Sequence, residues 1–152
     1  MASFIDKVVN GQILVDVYLS MPVIPTHPDD QTDWIRRKAL VDTGASVSGV
    51  SELLTIELMV SGRKRGQIAP FRSQVIHTPS GTSGVPSYSA DVALGIERQS
   101  TFQQTYRRET HWIIHTLEVT VIRASNFDVL LGMDFLQHCH LSLYGDYFIL
   151  SN

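Results

Sequence analysis

Short stretches of alternating apolar and polar residues run along most of the chain, with turn-forming residues between them. Residues 12–21 alternate in this way and are rich in branched side chains, which predicts a strand with one buried face. Residues 127–131 are apolar without interruption, which favours a strand buried on both faces. The same pattern predicts further strands at residues 37–41 and 111–123, and a terminal hairpin over residues 140–150 that turns at residues 144–146.

Turn and loop signals interrupt this pattern. Residues 73–96 predict two strands around a centre rich in glycine, serine and proline at residues 79–86, which is typical of a long hairpin with a flexible tip. The proline-containing residues 23–36 and the polar residues 97–110 predict loop insertions. We expect a single domain over residues 1–152, because this length suits one domain.

Helical spacing is limited to two segments. Residues 48–60 predict a helix with Ser51 as its cap, and residues 133–138 predict one or two further turns. Residues 61–66 predict a basic turn. Many short strands separated by turns indicate an all-β barrel or sandwich, and periodicity alone leaves both open.

Composition narrows the function classes without identifying one. The chain has 152 residues, of which 43% are hydrophobic and 18% charged, which suits one folded domain with its own core. A formal net charge of -3 gives no attraction to nucleic acid or to an anionic membrane, and we expect neither as a partner. The lone Cys139 cannot form an internal disulfide, and residues 1–10 lack the pattern of a secretory signal, so the expected location is cytoplasmic.

Candidate chemistry begins with Asp42, Thr43 and Gly44, which follow the predicted strand at residues 37–41. By itself this tripeptide is a common turn after a strand, because aspartate and glycine both favour turns. A second motif changes its meaning: residues 127–136 contain an apolar run, a glycine, a variable residue, an aspartate and two more apolar residues. The two motifs in this order are far more specific than either one alone.

Together the motifs resemble the retropepsin-like aspartic peptidases, the family of the retroviral proteases, over residues 14–150. The resemblance implies an all-β, single-domain closed barrel with a flap hairpin and one or two short helices. It also implies that Asp42 is catalytic and that residues 127–136 form a strand crossing behind the active-site loop, followed by a short helix. The flap corresponds to residues 74–91.

The mechanism implied by this resemblance needs two carboxylates that share one proton and activate a water. The chain contains a single Asp-Thr-Gly sequence, so the second carboxylate must be Asp42 of another copy in a homodimer. The resemblance assigns to Thr43 a hydrogen bond across the dimer axis. Gly44 lets backbone approach the carboxylates without a Cβ in the way. No metal or other cofactor is expected beside the catalytic water.

The expected substrate is an extended polypeptide, held as a strand between the active-site loop and the flap. Ala45 stands where two-lobed relatives usually carry serine, and the missing hydroxyl donor favours a milder acidic optimum than that of gastric-type enzymes. Residues 81–84 are expected at the moving tip of the flap. With Ala45, the residues predicted to contact substrate are Ser46, Gly81, Thr82, Ser83, Gly84, Val85 and Tyr88.

The chain departs from the retroviral pattern at two positions. Retroviral members usually carry arginine before the aspartate or asparagine of the second motif and an aspartate after Asp-Thr-Gly-Ala, and these two residues pair to brace the dimer. Here the positions hold Met133 and Ser46, so both charges are absent together and a dimer must be braced differently. The apolar terminal segments, residues 2–9 and 141–150, are candidate interface strands.

The remaining signals have simpler interpretations. His138, Cys139 and His140 are adjacent, but successive strand residues point to opposite faces, so no metal site is expected. His111 and His115 are expected at a rim. Two functions compete with a free-standing peptidase: a catalytically silent peptide-binding or assembly module on the same fold, and a protease domain that acts mainly in its own release from a precursor.

Overall fold

The protein is built almost entirely from strands. The structure is a computed structural model that describes residues 3–22, 34–64, 71–102, 105–123 and 126–152. In chain order the strands are β1 (Ser3–Lys7), β2 (Leu14–Ser20), β3 (Ile35–Val41), β4 (Gly49–Ser51), β5 (Arg72–Thr78), β6 (Gly81–Phe102), β7 (Thr105–Ile122), β8 (Val129–Leu131), β9 (His140–Tyr144) and β10 (Tyr147–Ser151). The helices of these ranges are α1 (Glu52–Lys64) and α2 (Met133–Leu136). Neither has the length and apolar character needed to cross a membrane.

Six strands close into a barrel. Strands β2, β3, β8, β4, β7 and β6 are neighbours in that order, and β2 also pairs with β6, which joins the two ends of the row. Strand β5 pairs with β6 outside this ring and lies at the edge of the sheet. The closure confirms the predicted all-β closed barrel and decides against an open sandwich.

Alternation places the apolar side chains inside the barrel. In β2, Val15, Val17 and Leu19 are buried, whereas Asp16 and Tyr18 between them are only partly buried. The other barrel strands add Ala39, Val50, Val92, Leu94, Val119, Val129 and Leu131 to the same core. Burying one such branched side chain contributes about 1.5–3 kcal/mol relative to leaving it exposed, so this core is the main source of the barrel's stability.

A long hairpin replaces one of the two predicted insertions. Residues 97–102 belong to β6 and residues 105–110 to β7, and the two strands stay paired along this length. The loop prediction for residues 97–110 is therefore wrong. The hydrogen bonds between strands join backbone groups, so a polar sequence does not prevent pairing whose register is already set in the barrel. Most of the other predicted insertion, at residues 23–36, lies outside the described residues, although β3 already begins at Ile35.

Helix α1 begins at Glu52, not at residue 48, because the residues before it are taken by β4. This short strand pairs with β7 on one side and β8 on the other. Ser51 is the helix cap, as predicted: its Oγ accepts a hydrogen bond from the Leu54 N–H at 3.3 Å. Residues 61–64 of the predicted basic turn form the end of α1, and residues 65–66 lie outside the described residues.

The two ends of the chain form a second, three-stranded sheet in the order β1-β10-β9. Strands β9 and β10 form the predicted terminal hairpin, and Gly145 in its turn has a φ of +59°, a conformation that glycine adopts without strain. Phe148 and Leu150 are fully buried, and the Phe4 ring packs on the Phe148 ring with centroids 5.8 Å apart. The predicted role of the terminal segments at a dimer interface stays a prediction.

Candidate active site

Asp42 lies at the start of the loop between β3 and β4, residues 42–48, which we call the Asp42 loop. Its backbone N–H donates to the Leu131 carbonyl of β8 at 3.0 Å, so the loop leaves the barrel at a fixed point. The Gly44 N–H donates to Asp42 Oδ1 at 2.9 Å and orients the carboxylate. Asp42 is half-buried, whereas Thr43 and Gly44 are exposed. The carboxylate is therefore held in place at the surface of the barrel.

The second motif crosses directly behind this loop. Strand β8 runs parallel to β3 on one side and antiparallel to β4 on the other, so it separates the two strands that carry the Asp42 loop. The crossing strand and the short helix α2 after it are the arrangement that the family resemblance implied. The two motifs, distant in sequence, form one structural unit.

Gly132 allows the two segments to touch. A Cβ at this position would lie 2.7 Å from the Val47 carbonyl carbon and oxygen, and 3.0 Å from the Ala45 carbonyl oxygen. Real Cβ atoms do not approach backbone so closely. In the absence of a side chain, the Met133 N–H donates to the Ala45 carbonyl at 2.8 Å.

Asp134 is the main polar contact between the motifs. Its Oδ1 accepts the Ser48 hydroxyl at 2.6 Å and the Phe135 N–H at 2.9 Å, while its Oδ2 accepts the Ser48 N–H at 2.9 Å. Ser48 Oγ in turn accepts the Gly132 N–H at 3.0 Å. Hydrogen bonds to an ionised carboxylate are stronger than neutral ones, so this network fixes the end of the Asp42 loop. The sequence identified Asp134 only as part of a motif, and no spacing signal pointed to Ser48.

The two departures from the retroviral pattern lie on either side of this contact. Ser46 is exposed and Met133 is 40% exposed. The Asp134 N–H donates to the Ser46 carbonyl at 3.2 Å. Backbone hydrogen bonds thus join the two segments within one chain at the place where the resemblance suggested an ion pair.

Strands β5 and β6 form the hairpin that corresponds to the predicted flap. Thr78 is paired with Gly81, so the turn consists of residues 79–80, and Gly81 has a φ of +128°. The predicted tip, residues 81–84, instead belongs to β6. The sequence placed the tip too far along the chain because it could not distinguish the glycine that closes the turn from the glycine that continues the strand.

The hairpin has two different faces, because paired residues of neighbouring strands share a face. Gln74, Ile76 and Val85 lie on one face and are half-buried. Val75, 63% exposed, and His77 lie on the other. The structure places the predicted contact residues Thr82, Ser83 and Gly84 at exposed positions of β6 and half-buries Val85.

Tyr88 is a core residue. It is fully buried, its hydroxyl is 2.9 Å from Thr55 Oγ1 of α1, and the Phe71 ring packs edge-on against its ring at 5.7 Å. Burial raises the pKa of Tyr88 to about 12, and the Thr55 hydrogen bond opposes this shift. The prediction that Tyr88 faces substrate is therefore corrected: its position next to the hairpin in sequence does not make it part of the hairpin surface.

Cysteine and histidine side chains are the usual candidates for a metal site. Within the described ranges, no group of three or more histidine, cysteine, aspartate or glutamate side chains lies close enough to hold a metal ion. Cys139 is half-buried, and burial raises the pKa of its thiol to about 11, which keeps it un-ionised at neutral pH. His115 and His138 stack on one another, a contact that the sequence did not suggest.

Comparison with known proteins adds a likeness to solved structures. No family model matches the chain, and no curated protein matches it. Among solved structures, the crystal structure of a retropepsin-like aspartic protease from Rickettsia conorii is similar to it at 13% sequence identity and a TM-score of 0.49. The match covers 97% of this chain and 89% of that one. A likeness at this level carries no conclusion about activity.

Proposed function

We propose that the protein is an aspartic endopeptidase whose active site forms between two copies of the chain, with Asp42 of each copy supplying one carboxylate. The observation that carries this proposal is the Asp42 loop itself: a half-buried carboxylate at the barrel surface, on a loop held from behind by contacts with Gly132 and Asp134. A simple connecting turn has no need of such a brace, whereas a catalytic carboxylate needs a fixed position.

The chemistry follows from bringing two such loops together. Two carboxylates about 3 Å apart cannot both ionise, so one acts as a base towards a bound water and the other as an acid towards the peptide. Water attacks the carbonyl carbon, and the tetrahedral intermediate collapses as the nitrogen is protonated. Because each chain carries one Asp-Thr-Gly sequence, a two-fold axis next to Asp42 is the simplest way to supply the pair.

Neighbouring residues have roles that fit their positions. Gly44 orients Asp42 through its N–H, and a Cβ there would lie only 3.2 Å from Asp42 Oδ1. Thr43 is exposed, so its hydroxyl is accessible to the loop of a second copy. Ala45 and Ser46 continue the loop beside the reacting groups.

The substrate is proposed to be an extended polypeptide, which lies as a strand between the Asp42 loop and the β5–β6 hairpin. The half-buried face of the hairpin, with Ile76 and Val85, would provide apolar contacts for substrate side chains. Gly81, Thr82, Ser83 and Gly84 supply backbone groups on β6 close to the turn.

The experiment that tests the proposal is cleavage of a denatured protein between about pH 4 and 7, the range expected for a carboxylate pair of this type. Asp42→Asn is expected to lower the cleavage rate by about 10³-fold or more, because general acid–base catalysis depends on the Asp42 carboxylate. Its thermal stability should match the wild type, since the Asp42 side chain is not part of the core. A transition-state-mimicking aspartic-protease inhibitor should reproduce the loss in wild type.

Two outcomes would point to other functions. A folded dimer that binds peptides without cutting them would favour a silent binding or assembly module. Cleavage confined to the borders of a longer precursor, with no turnover of added substrates, would favour a domain that releases itself. A protein that stays monomeric at all concentrations and with inhibitor present would contradict the shared active site.

A further inference from the structure

Two histidines stack at the point where α2 meets the barrel. The rings of His115 on β7 and His138, just beyond α2, have centroids 3.7 Å apart and planes inclined by 15°. The Phe135 ring of α2 packs edge-on against His115 at 5.7 Å and 85°. Phe135 is fully buried, so this aromatic group joins the exposed His138 to the barrel core.

The surroundings of His115 offer little to stabilise a positive charge. On its own face of β7 the neighbours at alternate positions are Ile113 and Leu117, and its partner on β6 is Val92. All three are buried and apolar. Burial lowers the pKa of His115, and the nearby His138 lowers it further.

The ionisable groups on the elements next to His115 include Asp134, Cys139 and Asp91. On the α2 side, the carboxylate of Asp134 accepts hydrogen bonds from Ser48, and Cys139 is an un-ionised thiol. On β6, the carboxylate of Asp91 accepts the hydroxyl of Thr116 at 2.5 Å, on the face of the sheet opposite His115. The ionisable side chain that packs on the His115 ring is another histidine, His138.

The stack is connected to the Asp42 loop by one peptide unit. Phe135, which packs on His115, directly follows Asp134, and the Phe135 N–H donates to the Asp134 carboxylate. That carboxylate holds the N–H and hydroxyl of Ser48 at the end of the loop. A change in how α2 sits on β7 must therefore change the support of the loop.

We propose that His115 and His138 are positioning residues that hold the Asp42 loop through α2, and that protonation of both rings releases this hold. Two neutral or singly protonated imidazoles stack favourably, whereas two imidazolium rings at this distance repel one another. The inference rests on the proposed function for its effect on catalysis and adds a pH-sensitive control of the same site.

The direction of the pH effect follows from the lowered pKa of His115. A histidine whose pKa is lowered by folding binds fewer protons in the folded state, so folding is favoured more as pH rises. This contribution is complete above the unfolded value of about 6.5 and is lost as pH falls below it. The hold on the loop should therefore weaken as the pH falls below the ordinary histidine value of about 6.5.

The first test follows the Ser48 amide and the His115 ring by NMR during a pH titration, without any need for activity. In wild type, the Ser48 amide signal should shift with the same midpoint as the His115 ring signals. In His138→Gln this step should disappear and the His115 midpoint should rise, because a charge and a burying ring are both removed. His140→Gln, an exposed neighbour, is the matched control and should keep the step.

Either of two results overturns the proposal: a Ser48 step that survives in His138→Gln, or a His115 midpoint that does not rise in that variant. Cleavage assays then measure the consequence. The acid limb of wild-type kcat should be steeper than that of His138→Gln, whose kcat at pH 7 should already be lower because the stack that holds the loop is lost, with KM unchanged. If no variant cleaves any substrate but the Ser48 step behaves as described, the proposed function fails and the positioning role stands.

Discussion

The Asp42 loop and the β5–β6 hairpin are held by different kinds of interaction. The loop is fixed by hydrogen bonds that Ser48 donates to the Asp134 carboxylate and by direct backbone contact at Gly132. The hairpin is held by a backbone ladder between two strands, outside the closed ring, and its β5 edge has no neighbouring strand among the described residues. A two-stranded unit with one half-buried face opens at lower cost than a cross-braced loop.

This difference fits the proposed function, in which the Asp42 loop stays fixed and the β5–β6 hairpin moves. A catalytic carboxylate must keep its position, while the element over a substrate must move to admit it. In the proposed peptidase, the polar contacts of Asp134 would fix the Asp42 loop, and the exposed backbone pairing of β5 with β6 would allow the hairpin to move. Substitutions in the two regions should therefore have unequal costs.

The largest effect is expected for Asp134→Ala. It leaves the Ser48 N–H, the Ser48 hydroxyl and the Phe135 N–H without their acceptor, at a cost of about 3 kcal/mol in the free energy of unfolding. Urea denaturation measures this loss. Asp134→Asn retains one carbonyl acceptor and should lose about 1 kcal/mol. A loss of less than about 1 kcal/mol in Asp134→Ala would show that the hydrogen bonds to Asp134 do not stabilise the loop.

A smaller effect is expected from adding one methyl group in each region. Gly132→Ala forces a Cβ against the backbone of Val47 and should cost about 2 kcal/mol, with lower activity, because backbone cannot move aside freely. Gly84→Ala on the hairpin meets only Ser73 Oγ at 3.2 Å, which can rotate, so its cost should be about 0.5 kcal/mol or less. Equal melting temperatures for the two variants would contradict the comparison.

An effect between those of Gly132→Ala and Gly84→Ala is expected for Tyr88→Phe, at the base of the hairpin. The substitution removes the hydroxyl that pairs with Thr55 and should cost about 1 kcal/mol of stability, with KM for peptide substrates unchanged. Thermal unfolding and steady-state kinetics measure the two quantities. A large rise in KM with unchanged stability would indicate that Tyr88 contacts substrate after all.

Much of the fold was predictable because its causes are local. Alternation in β2 predicted a strand with one buried face, and Gly145 closes the terminal turn where the sequence indicated it. Ser51 was identified as a helix cap from its residue type alone. The boundaries were less predictable: residues 49–51 have no strong preference of their own and become a strand because β7 and β8 lie on either side.

The residues of the candidate site also fall into two groups, those that the sequence predicted and those that only the structure identified. Asp42, Thr43 and Gly44 were found from their order in the chain, since a short motif carries its chemistry in consecutive residues. Ser48 and the stacked histidines were not found, because their roles depend on residues far away in sequence. Tyr88 was assigned to the wrong surface, since alternation does not reveal which face of a hairpin turns towards a helix.

By itself, the sequence determined the strand-rich class, the closing turn at Gly145 and the position of the candidate catalytic carboxylate, because each depends on neighbouring residues. Tertiary structure alone decided that β2 and β6 close the barrel, that β8 passes behind the Asp42 loop and that Asp134 reaches Ser48. The reason is physical: which distant segments meet depends on how the strands pair and how the core packs, and no local pattern encodes either.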